Sequence, residues 1–356
     1  MKVIKDTYLK NVFLLIISVF ITVLILEIAL RMFYGNQPVF IYPQVMHIPT
    51  SYGYKLKPNQ LGTYTLDKPV RANSFGFRDY EWSMPKIKGV YRIMCLGDSL
   101  TFGNAVRGED TYPKVLEAQL RSINANYEVI STAIGGWATF IELDFLKAEG
   151  MKYEPDAIII GFYMNDFSIR SDVSVNLTEE GRWDARPLWL KWLPYKYIFI
   201  IKRSALITYL RDRIDTLLHG ETDFNTLLLK NRINLDNEDS IQATYHYLSE
   251  IKKLCDERGI KCILASIPAI NYFWFPRGSV KYMDHLKKFC ESQGIEFIDL
   301  AEGFWKFEDT NKFYMYPWDN HLIRPATSWW RTSCSLVSVL LPVCRLPNSG
   351  DRSIHP

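Results

Sequence analysis

Between residues 90 and 300 five short apolar runs, "VYRIMCL", "YEVIST", "DAIIIGFY", "KCILASI" and "EFIDL", alternate with amphipathic stretches. Runs of this length suit strands better than helices, and "DAIIIGFY" is apolar enough to be buried on both faces. The intervening "TYPKVLEAQLRSI", "FIELDFLKAEG", "DSIQATYHYLSEIKKLCDERG" and "VKYMDHLKKFCESQG" repeat at helical spacing, with Gly150 and Gly259 placed as stops. Strands joined through helices pair in parallel by right-handed crossovers, and helices then cover both faces of the sheet. The pattern predicts a three-layer α/β/α sandwich around a central parallel sheet.

Two regions fall outside that rhythm. "MKVIKDTYLK" carries three lysines and one aspartate, and the 19 residues Val12 to Leu30 that follow contain a single charge, Glu27. As a helix this run rises roughly 28 Å at about 1.5 Å per residue, close to the hydrocarbon thickness of a bilayer. No small-residue cleavage site follows, so the reading is an uncleaved transmembrane anchor over residues 1–33. Lysines before the span predict a cytoplasmic amino terminus and an extracytoplasmic remainder. Residues 34–88, rich in Pro, Gly, Tyr and Asn, read as an ordered lead-in. Residues 168–236, with the aromatic and basic "RPLWLKWLPYKYIFIIKRSALITYLRDRI", read as an insertion: either helices packed beside the core, or a lid or membrane contact.

Composition narrows the function. A net charge of +3 with dispersed basic residues argues against nucleic acid as partner. The six cysteines form no close metal-ligand pair and no evident disulfide framework, and read mostly as packed thiols. No metal or organic cofactor is implied.

In open α/β sheets, functional side chains gather on loops just past the carboxyl ends of the strands. Four segments end there: "LGDSLTFG", "STAIGGWAT", "GFYMND" and, after the last strand, "YPWDNHL". They leave Ser99, Gly136, Asn165, Asp319 and His321 at the rim. Each has a plain structural alternative: Gly-Asp-Ser suits a turn, Asn165 a helix cap, and His321 is one of six histidines. Only His321, however, follows the last strand with an acid two residues before it. Asp98 and Asp166 are assigned to loop structure.

In this order the segments resemble the blocks of the SGNH, or GDSL-type, hydrolase superfamily, over roughly residues 92–321. The resemblance implies a flavodoxin-like sandwich with Ser99 as nucleophile, His321 as base and Asp319 orienting it. The oxyanion hole would comprise the Ser99 amide, the Asn165 side chain and the amide of Gly136, chosen over Gly135 on its spacing from the second strand. The chemistry fits: a serine hydroxyl needs a base, and the tetrahedral oxyanion needs preorganised donors. The acid and base stand two positions apart where many members have three; in an extended segment both still project to one side. Relatives that acetylate exopolysaccharides such as alginate share that spacing, so acyl transfer stands beside hydrolysis.

After His321 the family usually continues into a Gly-His pair and an amphipathic helix. This chain reads "LIRPATSWWRTSCSLVSVLLPVCRLPNSGDRSIHP" instead. With permitted codons "PATSWWRTS" can be CCG GCC ACC AGC TGG TGG CGG ACC TCC, which from its third base encodes Gly-His-Gln-Leu-Val-Ala-Asp-Leu. A frameshift near residue 323 is the expectation, leaving 89–322 as the hydrolase domain and 323–356 as an aberrant tail. The expected protein is a membrane-anchored esterase or acyltransferase acting on an O-acyl ester of surface carbohydrate or lipid. The alternative is a non-catalytic envelope glycan-binding or accessory protein that keeps the fold.

Overall fold

The structure, a computed structural model, describes residues 2–34, 45–63, 68–170, 177, 181, 204–219, 238–274, 281–307, 309–314 and 322. Helix α1 (Lys2–Tyr34) precedes two small antiparallel hairpins, β1 (His47–Thr50) with β2 (Gly53–Leu56) and β3 (Leu61–Thr63) with β4 (Pro69–Arg71). Then come β5 (Tyr91–Gly97), α2 (Ser99–Phe102), α3 (Tyr112–Ile123), β6 (Tyr127–Ser131), α4 (Thr139–Ala148) and β7 (Ala157–Phe162). The described chain continues with α5 (Ala205–His219), α6 (Glu238–Asp256), β8 (Lys261–Ser266), α7 (Lys281–Gln293), β9 (Glu296–Asp299) and the short α8 (Ala301–Phe304).

Strands β5 to β9 form one five-stranded sheet in the order β6-β5-β7-β8-β9, every pair parallel. Numbered within the sheet that order is 2-1-3-4-5, the flavodoxin-like arrangement the sequence led us to expect. Each expected strand and each of the four expected helices lies within two or three residues of its sequence assignment. The period of two along β5 explains the layers: Met94 and Leu96 join a core with α4, α6 and α7, while Ile93 and Cys95 join a second core with α3. Arg92, which opens β5, is fully buried yet satisfied, donating to the carbonyls of Tyr153 (2.6 Å) and Ser83 (2.9 Å) and pairing with Glu128.

The hairpins before the sheet pack onto it. Tyr52, Tyr54, Phe77 and Trp82 share the first core with Trp137, Phe145 and Tyr153, mostly in edge-to-face ring contacts. The Asp79 carboxylate accepts from the Ser131 amide at 2.7 Å and pairs with Lys114 at 2.5 Å, tying this region to β6 and α3. Cys95, Cys255, Cys262 and Cys290 are buried, packed side chains with no disulfide among the described residues; Cys334 and Cys344 lie outside those residues. Within α1, Lys10–Met32 is long and apolar enough to cross a membrane, with a mean hydropathy of 2.9 and none of it buried; length and composition fit a span or a signal sequence alike.

Candidate functional site

The sheet's switch point lies between β5 and β7, whose neighbours run off in opposite directions. In open α/β sheets this is the place, at the carboxyl ends of the strands, where ligands bind. Gly97 and Gly161 face each other across these two strands, and Thr101 packs over both. A Cβ on either glycine would come within 2.1 Å (position 97) or 2.2 Å (position 161) of Thr101 Oγ1. β5 therefore ends on a residue without a side chain and β7 carries one at its penultimate position, and the chain turns sharply into α2 at Asp98–Ser99.

Asp98 caps that turn. Its fully buried carboxylate accepts from the Leu100 amide at 2.8 Å and from Asn165 Nδ2 at 2.9 Å. The Ser99 hydroxyl reaches the same carboxylate only at 3.5 Å, the outer limit of a hydrogen bond, and Ser99 is half-buried. Ser99 and Asn165 thus converge on one acceptor. Sequence reading left Asp98 as loop structure, because a capping aspartate has no signature that reveals a second, distant donor. The loop after α2 is clasped from the hairpin region: buried Arg78 donates to the carbonyls of Phe102 (3.0 Å), Gly103 (2.6 Å) and Val106 (2.8 Å).

After β6 the chain makes a turn beside the end of β5, with the Ile134 amide donating to the Gly97 carbonyl at 3.3 Å. Gly136 is exposed at the tip with φ +82°, a conformation open to glycine but costly for other residues. Tyr54 holds the turn on either side of it. Its hydroxyl donates to the Gly135 carbonyl at 2.9 Å, and Trp137 Nε1 donates to the Tyr54 carbonyl at 2.9 Å. Sequence reading missed Tyr54, which sits in β2, far from any motif.

After β7, Asn165 and Asp166 lie in a single helical turn, Met164–Asp166. Donation to Asp98 fixes the Asn165 amide orientation and uses one of its two Nδ2 protons. Behind it lies a buried acidic group. Asp98, Glu142 and Asp166 are each fully buried. Among the described residues neither Glu142 oxygen has a hydrogen-bond partner, while Asp166 accepts from the Tyr163 amide at 2.8 Å. Burial, with the nearby charge of Asp98, pushes the Glu142 carboxyl up to about 8. Burial, then Glu142 and Asp98, push Asp166 well above the usual carboxylate range. At neutral pH Glu142 is therefore held largely neutral.

Asp319 and His321, the expected acid and base, lie outside the described residues. Leu322, one position after His321, bridges antiparallel to Tyr314, whose hydroxyl donates to the Pro268 carbonyl just past β8 at 2.8 Å. Among the described residues no group of three or more His, Cys, Asp or Glu is arranged to hold a metal ion.

The sequence model of the GDSL-like lipase/acylhydrolase family matches residues 95–324. No curated protein matches the chain. Among solved structures the chain is similar to TesA (12% identity, 71% of this chain and 99% of that one, TM-score 0.43). It is also similar to the esterase EstA from Pseudoalteromonas sp. (13%, 71% and 97%, TM-score 0.38). A third likeness is to the acetyl xylan esterase AlAXEase (15%, 71% and 98%, TM-score 0.39).

Proposed function

The chain belongs to the GDSL-like lipase/acylhydrolase family, and from that premise we propose that it is a serine esterase with Ser99 as nucleophile. The observation that carries this reading is the convergence of Ser99 and Asn165 on the Asp98 carboxylate at the switch point of the sheet. Asp98 is firmly held by two other donors, so the serine hydroxyl is loosely held and available to an imidazole.

His321 takes the hydroxyl proton as Oγ attacks the ester carbonyl, and Asp319 holds the imidazole in the tautomer that accepts it. Charge developing on the former carbonyl oxygen meets the Ser99 and Gly136 amides and the Asn165 amide group. Collapse of the tetrahedral intermediate expels the alcohol, which leaves with the proton from His321. Water, or a sugar hydroxyl in a transferase, then attacks the acyl-enzyme and restores the serine. The bridge from Leu322 to Tyr314, and from Tyr314 to the loop past β8, supports a return of the chain to this rim.

On this reading α1 is an uncleaved single-pass anchor, and the catalytic domain faces the extracytoplasmic side, where O-acylated surface carbohydrate or lipid is the substrate class. A serine-reactive fluorophosphonate probe tests the nucleophile. Labelling of the folded protein that vanishes in Ser99→Ala is expected; absence of labelling in well-folded protein would leave the non-catalytic glycan-binding alternative. A panel of p-nitrophenyl acyl esters and acetylated glycans, with and without sugar acceptors, separates hydrolysis from transfer.

A further inference from the structure

Glu27, the one charge inside the apolar run of α1, has its partners within the molecule. Oε1 accepts from the Ala205 amide at 2.9 Å and from Arg31 Nε at 2.8 Å; Oε2 accepts from the Leu206 amide at 2.9 Å and the Ser204 hydroxyl at 2.8 Å. Ala205 and Leu206 open α5, so the carboxylate satisfies first-turn amides that a helix cannot satisfy itself. In an apolar medium such groups must find partners inside the protein.

Glu27 lies five residues before Met32, where the apolar span ends. That is about 8 Å at roughly 1.5 Å per residue, so α5 starts near the depth at which α1 leaves the bilayer. From there α5 exposes Ile207, Leu210, Ile214 and Leu217, at 44%, 48%, 51% and 84%. Their 3-4-3 spacing puts them on one face of the helix. Ile28 and Met32 of α1, on either side of this level, are exposed at 50% and 81%.

We propose that α5 is an interfacial helix, whose Ile207, Leu210, Ile214 and Leu217 face lies in the headgroup–acyl boundary of the bilayer that α1 crosses, with Glu27 pinning the two helices together. Lipid is the occupant because α5 is hydrogen-bonded to α1 at Glu27, near the end of the span, and both helices expose apolar side chains around that level. The inference rests on the reading of α1 as a membrane span. It makes the anchor part of the fold, and it gives the domain two fixed contacts with the membrane in place of one swivelling tether.

Nitroxide labels test this in the full chain reconstituted into phosphatidylcholine–phosphatidylglycerol vesicles, with Cys334 and Cys344 replaced by serine. Labels go at L210C, I214C and L217C, with F20C in α1 and K288C on the exposed side of α7 as references. Collisions with oxygen should exceed those with a water-soluble nickel chelate at the three stripe positions, as at position 20, and the ratio should invert at position 288. Adding Glu27→Ala should shift the stripe labels toward the aqueous ratio while position 20 stays in lipid; no shift removes Glu27 as the pin. Stripe labels that are aqueous, or shielded from both reagents by protein, while position 20 remains in lipid overturn the interfacial helix and spare the span. An aqueous position 20 overturns the span reading, and this inference with it.

Discussion

Asn165 Nδ2 and the Asp98 carboxylate, 67 positions apart in the chain, meet at 2.9 Å and join the segment after β5 to the segment after β7. The bond spans the switch point of the sheet, and it orients the one side-chain donor proposed for the oxyanion. Removing that donor should act on the transition state rather than on substrate binding. Asn165→Ala should lower kcat by roughly 10²–10³ with little change in KM. Asp98→Ala should also lower kcat, and the double variant should lose much less than the product of the two. Full additivity in steady-state kinetics would show that the two side chains act separately.

Tyr54 should matter to turnover although it lies in a hairpin outside the sheet. Tyr54→Phe deletes the bond to the Gly135 carbonyl and leaves a buried acceptor without its partner, at a cost of about 1–3 kcal/mol. With Gly136 as an oxyanion donor, kcat should fall several-fold while KM holds. A stability loss seen in denaturant titration with an unchanged kcat would leave the turn a purely structural feature.

The buried acids predict a pH dependence of stability. Glu142 is pushed up to about 8 in the folded protein, against an ordinary value of 4.5. Between these values the native state binds more protons than the unfolded chain, so stability falls as pH rises from 4.5 to 8 and levels off above. Asp166 acts in the same direction. Glu142→Gln cannot ionise. It should resemble the parent near pH 5 and exceed it near pH 8 by on the order of a few kcal/mol, at about 1.4 kcal/mol per pKa unit. Urea midpoints at the two pH values measure the difference, and parallel curves would show that Glu142 does not titrate in this way.

Gly161 should not tolerate a methyl group. A Cβ there would lie 2.2 Å from Thr101 Oγ1 and 2.8 Å from the Tyr112 hydroxyl. Gly161→Ala should destabilise by roughly 1–3 kcal/mol or more, the usual cost of overpacking. Thr101→Ala in the same chain should recover part of that loss. Thermal unfolding of both variants checks it, and equal or greater loss in the double variant would place the strain elsewhere.

The tail after Leu322 makes a genetic prediction. Sequencing the gene should reveal a reading frame that restores the Gly-His-Gln-Leu-Val-Ala-Asp-Leu ending, and the restored protein should be the more stable one. An amphipathic helix covering part of a sheet contributes several kcal/mol at about 25 cal/mol per Å², comparable with a domain's whole margin of about 5–15 kcal/mol. Codons that encode no such frame would make the tail a true divergence.

The sheet and its helices were legible in the sequence because each rests on local signals. Ile158, Ile159 and Ile160 mark a strand buried on both faces wherever it lies, and the 3.6 period of Val115, Leu116 and Leu120 marks a helix with one buried side. The position of Ser99 and Asn165 at the carboxyl edge of the sheet was legible for the same reason, since each stands just past a recognisable strand. The partnerships around them were not. Arg78 on the loop after α2, Tyr54 on the turn at Gly135, and Glu27 at the start of α5 each join segments distant in the chain. No periodicity encodes such pairings. They are fixed only when burial removes water and each polar group must take the partner that the packed chain puts beside it.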